Sequence, residues 1–196
     1  ETSAVAIPLV SLNKLNKEAK VSIADKLVVT GAVSNYDDSE VTYTWTCESG
    51  NLELNGQTLA TDRLQHATNL VIKPGVLSGG TVYSFKVTAA TPLGATGYAV
   101  VGITTNAVPA GGSCASTPSS GVALRDNFRL ACNGWLDEDT PLTFKFQRQG
   151  KRKTDILDLS DFTEANYYET VLPAANVPGD SLTVVGLIRD VLGAVE

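Results

Sequence analysis

Residues 41–47 read VTYTWTC, a strict alternation between core-type and polar side chains. Because successive side chains of a β-strand point to opposite sheet faces, the odd-numbered residues would share one face and the threonines the other. The odd-numbered residues are Val41, Tyr43, Trp45 and Cys47. β-Branched and aromatic residues also favour strands, since they pack well on a pleated surface. The segment therefore predicts a half-buried strand with an aromatic core face.

The same alternation recurs on both sides of this strand. It is found at residues 82–88, 98–105, 128–132 and 142–146, and a longer β-branched run occupies 181–188. Gly and Pro punctuate the segments, and helical periodicity is weak throughout. Many short strands with turn signals between them are typical of β-sandwiches. The sequence predicts an all-β protein.

An internal repeat divides these strands into two sets. Residues 35–45 resemble residues 135–146, since in both an acidic turn leads into an aromatic strand. Near the end of each set, PLGA at 92–95 matches VLGA at 191–194. Both offsets are about 100 residues, the length of one sandwich. We therefore predict two tandem immunoglobulin- or fibronectin type III-like β-sandwiches.

The predicted domains span residues 1–108 and 109–196. Their join, VPAGGS at 108–113, is short and rich in Gly and Pro. A join of this length limits reorientation, so the pair is expected to act as a semi-rigid spacer.

Composition restricts the function classes. The formal net charge is −6, which argues against nucleic-acid partners because phosphate contacts need a basic face. No apolar run is long enough to span a bilayer. The chain contains no methionine, so we expect it to be an excised part of a larger protein.

The three cysteines are Cys47, Cys114 and Cys132. No CxxC is present and the chain has one histidine, so a zinc site has almost no ligands. We predict a disulfide between Cys114 and Cys132; the alternative is two buried free thiols. Cys47 is then either a core thiol or the partner of a cysteine outside this sequence.

Three further features have a functional and a structural interpretation. The two acidic turns could bind calcium through the candidate ligands Asp37, Asp38, Asp137 and Asp139. Alternatively, the aspartate side chains accept hydrogen bonds from local backbone amides. A basic run after Phe146 comprises Arg148, Lys151, Arg152 and Lys153. It could contact an anionic glycan or an acidic neighbouring subunit, or it could be a solvated hairpin loop. Trp135 could stack on a sugar or pack in the core.

Several stretches resemble the receptor-for-egg-jelly (REJ) module of polycystin-1-like proteins. The similarity covers roughly residues 20–196 and includes GTVYSF at 80–85. Its most specific part is an ordered series of motifs in the second half: GGSC at 111–114, PSSG at 118–121, CNGW at 132–135 and DEDTPL at 137–142. The sequence departs from the pattern by lacking a second cysteine near Cys47, which leaves open whether the first domain has its own disulfide.

The resemblance implies an extracellular, cell-surface module of fibronectin type III-like or related sandwiches without an active site. We therefore expect a non-catalytic structural or adhesion module that contacts other domains of the same protein or another surface protein. The parent protein is expected to be membrane-anchored or part of a surface filament. No cofactor is expected, and the alternative function is a glycan- or calcium-binding module. Catalytic residues are not predicted, since no nucleophile or paired-acid motif has a supporting context.

Overall fold

The computed structural model describes residues 6–14, 20–37, 40–60, 67–150, 152, 154–175 and 180–196. All regular structure in these ranges is β-strand apart from an isolated 3₁₀ position, which confirms the all-β prediction. Contacts divide the chain into two units, Glu1–Asn106 and Ala107–Glu196. The described residues contain no helix that is long and apolar enough to cross a membrane.

The described part of the first unit has seven strands. They are β1 (Val10–Lys14), β2 (Lys20–Val21), β3 (Leu27–Val33), β4 (Thr42–Ser49), β5 (Asn69–Ile72), β6 (Val82–Ala90) and β7 (Thr96–Thr105). One sheet has the order β1-β3-β5 and the other β2-β7-β6-β4. All pairs are antiparallel except β2 with β7, which is parallel.

The core of the first unit lies between these two sheets. From β4 it takes Tyr43 and Trp45, whereas the threonines of that strand are exposed. This confirms the division of faces predicted from residues 41–47. The facing sheet contributes Leu27, Leu70 and other fully buried aliphatic side chains. The first unit is therefore a β-sandwich with one core, whose buried aromatic residues all come from the sheet that contains β4 and β6.

The described part of the second unit has six strands. They are β8 (Ser113–Thr117), β9 (Asn127–Asn133), β10 (Thr143–Gln149), β11 (Ile156–Asp158), β12 (Tyr167–Val171) and β13 (Val184–Arg189). They form one sheet of order β12-β9-β8 and another of order β11-β10-β13. The core residues Phe128 and Leu130 of the first sheet pack with Phe146 and Ile188 of the second. The second unit is therefore also a β-sandwich, which confirms the predicted fold class.

One hairpin loop has the same hydrogen bonds in both units. After β6, Thr91 N donates to Ala95 O and Ala95 N donates to the Thr91 hydroxyl. After β13, Asp190 N donates to Ala194 O and Ala194 N donates to the Asp190 carboxylate. The glycine before each alanine has positive φ, 84° and 93°, a conformation that favours glycine. The PLGA and VLGA motifs therefore form equivalent turns.

Candidate functional site

Among the described residues, the disulfide and the cluster of three carboxylates both lie in the second unit. Its disulfide joins Cys114 on β8 to Cys132 on β9, the pairing that the sequence predicts. The two cysteines lie directly opposite each other in the antiparallel register. The Cys132 amide donates away from β8, to Asn166 O. The cysteines therefore form a pair without mutual backbone hydrogen bonds, the pair type in which side chains are closest.

The disulfide also lies against the facing sheet at a single glycine. A Cβ atom added at Gly186 of β13 would lie 2.5 Å from Cys132 Sγ and 2.7 Å from Cys114 Sγ. No real Cβ atom tolerates such distances. A glycine within a strand often marks a close approach of this kind. Gly186 is therefore required by the space that the two sulfur atoms occupy.

Gly186→Val is expected to destabilise the second unit by about 1–3 kcal/mol, the usual cost of overpacking a filled interior. The free energy of unfolding measured in urea tests this. A matched control is Gly102→Val on β7, where an added Cβ would meet nothing within 4 Å. The control should change the free energy of unfolding by about 0.5 kcal/mol at most. Equal effects of the two substitutions would show that the sulfur contact does not constrain residue 186.

Three carboxylates converge at one end of the same sandwich. Oxygens of Asp137, Asp139 and Asp190 lie within 4.8 Å of one another. Asp137 and Asp139 are half-buried, whereas Asp190 is only 3% exposed. The register of β10 and β13 pairs Thr143 with Arg189, and this pairing brings the 137–139 turn beside residue 190. Oxygen ligands in this arrangement are of the type that a hard cation such as calcium prefers.

The same carboxylates also bond local backbone. The Asp139 amide donates to the Asp137 carboxylate at 2.7 Å, and the Ala194 amide donates to the Asp190 carboxylate at 2.8 Å. Val191 N donates to Asp139 O, which joins the two turns. In the first unit the hydroxyl of Thr91 takes the place of the Asp190 carboxylate. The turn itself therefore needs an acceptor at this position but not a charge.

Asp190→Thr is expected to preserve the stability of the second unit, because Thr91 shows that a hydroxyl accepts the same amide bond. Asp190→Ala is expected to cost about 1–3 kcal/mol, since it leaves the Ala194 amide without its acceptor. Thermal and urea unfolding of the two variants make the comparison. Equal losses for Thr and Ala would show that the carboxylate charge, and not the hydrogen bond, holds the turn.

The remaining predicted site residues do not join this cluster. Asp37 is exposed in the first unit, where its carbonyl accepts from Glu40 N, and Asp38 lies outside the described residues. In the basic run, Arg148 lies in β10, paired with Leu157, and not in the hairpin loop where the sequence placed it. Arg152 is exposed in that loop, and Lys151 and Lys153 lie outside the described residues.

Cys47 and Trp135 both pack against hydrophobic cores. Cys47 is a half-buried free thiol beside the core of the first unit. Trp135 packs against the core of the second unit, and an added Cβ at Gly112 would lie 2.3 Å from its ring. This ring face is therefore covered by backbone, which favours the packing role of Trp135 over sugar stacking.

Sequence reasoning missed Asp190 and Gly186. The alignment of the two turns places Asp190 opposite Thr91, so the repeat contained a signal for a buried acceptor there. Gly186 had no signal, because its importance depends on which residues face it across the sandwich. The sequence does not specify that pairing.

Comparison with protein families identifies the chain. A family model described as the REJ domain matches residues 6–196. The chain belongs to the REJ domain family. REJ domains are a family of non-catalytic modules. In this REJ chain the match covers both sandwich units and includes the disulfide and the three converging carboxylates.

Solved structures similar to this REJ chain share little sequence with it. Murine CEACAM1b is 12% identical, with 96% of this chain and 95% of that chain covered and a TM-score of 0.37. A Bacteroides ovatus glucan-utilisation protein, SGBP-B, in complex with a mixed-linkage heptasaccharide is 14% identical, with 97% and 46% covered and a TM-score of 0.36. The FN1–FN3 domains of chicken CNTN1 are 13% identical, with 95% and 62% covered and a TM-score of 0.33.

Proposed function

We propose that this REJ chain is an extracellular, non-catalytic structural and adhesion module of a larger cell-surface protein. The observation that carries the proposal is the REJ match across two β-sandwich units, one of them closed by a disulfide. Stable disulfides are typical of oxidising compartments such as the cell exterior. The aromatic side chains of the two cores are occupied in packing, and the buried carboxylate of Asp190 accepts a hydrogen bond within its turn.

The proposed mechanical role is that of a semi-rigid spacer. Long-range antiparallel pairing must break before either sandwich can be extended, between β4 and β6 in the first unit and between β10 and β13 in the second. Strand β7 ends at Thr105 and β8 begins at Ser113, so the connecting segment is short. The partners of the module would be neighbouring domains of the same protein or a second surface protein that contacts its exposed strands or loops.

Single-molecule stretching tests the spacer role. We expect two separate force peaks, one for each unit. The disulfide shields the residues between Cys114 and Cys132 from extension. Reduction should therefore lengthen the unfolding step of the second unit by about 60 Å, since 18 residues extend by roughly 3.3–3.6 Å each. Extension of the oxidised chain without force peaks would contradict the proposed mechanical function.

Calcium binding is the second candidate function, and the specific observation that favours it is the convergence of Asp137, Asp139 and Asp190. Thermal unfolding with calcium and with a chelator tests it. The matched control is Asp190→Thr, which keeps the turn acceptor and removes one carboxylate. A calcium-dependent rise in melting temperature that Asp190→Thr abolishes would support this candidate. An equal melting temperature in calcium and chelator would exclude it at physiological calcium concentrations.

A further inference from the structure

Strands β4, β6 and β7 of the first unit present an outer face that carries little charge. The three strands contain two charged residues in total, Lys86 and Glu48. Two rows of outward side chains run across them: Thr44, Thr88 and Tyr98 in one row, and Thr46, Lys86 and Val100 in the next. Tyr98 is 67% exposed and Val100 51% exposed, so the rows are open to solvent. Aromatic side chains with few charges are typical of the centre of a protein interface.

The two charged residues of this face have no opposite charge within the part of the chain that the structure describes. Lys86 Nζ lies 5.0 Å from the centroid of the Tyr98 ring, and no ion pair of the described residues includes it. Glu48 accepts a hydrogen bond from the Thr46 hydroxyl, which places its carboxylate on the outer face. Because Thr46 is the cross-strand partner of Lys86, the ammonium and the carboxylate belong to neighbouring strands. The face therefore presents one cation and one anion that can pair with another molecule.

The equivalent face of the second unit is different. Strands β10 and β13 correspond to β4 and β6, since an acidic turn precedes β10 and the VLGA turn follows β13. On this face Lys145 forms an ion pair with Asp158 at 2.8 Å. The Phe162 ring lies against Lys145 and against Arg189, so it covers part of the face. The second unit therefore pairs the lysine of this face within the chain, whereas the first unit does not.

We propose that the outer face of β4, β6 and β7 binds the same face of a second copy of this chain. In a two-fold symmetric pair, each contact between two different residues occurs twice. Lys86 of each copy can therefore meet Glu48 of the other, which gives both charges of both copies a partner. The chain has a formal net charge of −6, so two copies repel each other overall, and a face with balanced charges is where they can approach. The inference deepens the proposed adhesion function and rests on it.

The size of this face predicts the strength of the contact. Three strands about 4.8 Å apart and eight residues with a rise of roughly 3.4 Å give an area near 400 Å² per copy. A standard stable interface buries about 800 Å² per partner, so this contact belongs to the weak and transient class. Such a contact becomes effective where many copies are held on one surface, because linked contacts reinforce each other.

A charge exchange between Lys86 and Glu48 tests the proposal on the full chain by sedimentation velocity. The unaltered chain should form dimers as its concentration rises. Lys86→Glu and Glu48→Lys should each weaken dimerisation at least about 10-fold, because like charges then face each other. An equimolar mixture of these two variants should form dimers again, since each copy supplies the charge that the other lacks. The double variant should dimerise as the unaltered chain does.

The matched control is Lys26→Glu, which makes the same change in net charge at an exposed lysine just before β3 and should leave the dimer in place. An unaltered chain that stays monomeric up to about 1 mM, the weak end of specific affinities, would overturn the proposal. Dimers that persist in both single variants would also overturn it, because their contact would lie on another surface. A mixture of the single variants that stays monomeric would do the same. The force peaks expected on stretching do not depend on these results, so failure of the contact is distinguishable from failure of the spacer role.

Discussion

Phe85→Ala should destabilise the first unit by about 3–5 kcal/mol, the usual range for removing a fully buried phenylalanine. Phe85 is 0% exposed on the central strand β6, between Cys47 of β4 and Val101 of β7. Its ring stacks on Tyr83 with centroids 5.9 Å apart. The substitution therefore removes both buried area and an aromatic contact from the centre of the core. Urea unfolding followed by tryptophan fluorescence measures the loss, since Trp45 lies in the same core.

The matched variant is Phe146→Ala, which makes the same change in the core of the second unit. If the two units fold independently, each substitution shifts one unfolding transition and leaves the other in place. Val100→Ala, at a side chain 51% exposed on β7, is the surface control and should cost about 0.5 kcal/mol or less. A single transition shifted by both phenylalanine variants would contradict independent folding.

Removing the disulfide should destabilise the second unit by about 3 kcal/mol. The bond closes a loop with a sequence separation of 18 residues, and cross-linking a loop of this length restricts the unfolded chain by that amount on the chain-entropy model. The variant is Cys114→Ala with Cys132→Ala, measured by thermal and urea unfolding. Because Cys132 is buried at 1% exposure, part of the loss would come from packing against Gly186.

Two controls separate these contributions. Cys47→Ala removes the free thiol and should have a much smaller effect, since no cross-link is lost. Reduction of the unmodified chain keeps both sulfur atoms in place and isolates the effect of the covalent bond. If the reduced and oxidised chains unfolded at the same urea concentration, the bond would contribute nothing to the stability of the second unit.

The strands that could be predicted from the sequence are those with one buried face. Strands β4 and β9 alternate clearly, because Tyr43 and Trp45, or Phe128 and Leu130, point into a core. Strand β8 was not predicted, since it is an edge strand with mostly exposed side chains and contains only small residues. Strand β12 was also missed, because its Tyr and Glu side chains are exposed or only half-buried. Neighbouring strands, and not a local pattern, determine where such edge strands lie.

The candidate site could be predicted only in part for a related reason. The acidic turn with Asp137 and Asp139 is a local feature and is visible in the sequence. Asp190 joins it through the register of β10 and β13, a pairing between residues about 46 positions apart. The basic run was partly misplaced because β10 continues to Gln149, three residues beyond Phe146, before its hairpin loop begins. Strand ends depend on pairing, which a single segment does not encode.

The disulfide lies within one sheet of the second sandwich. Antibody domains instead place their conserved bridge across the two layers. In this chain the bond fixes β8 to β9 as a ribbon, and among the described residues no disulfide joins the two facing sheets. Swelling of the interior on heating can therefore separate the two sheets without straining the disulfide, and the closed ribbon would persist as residual order in the denatured ensemble.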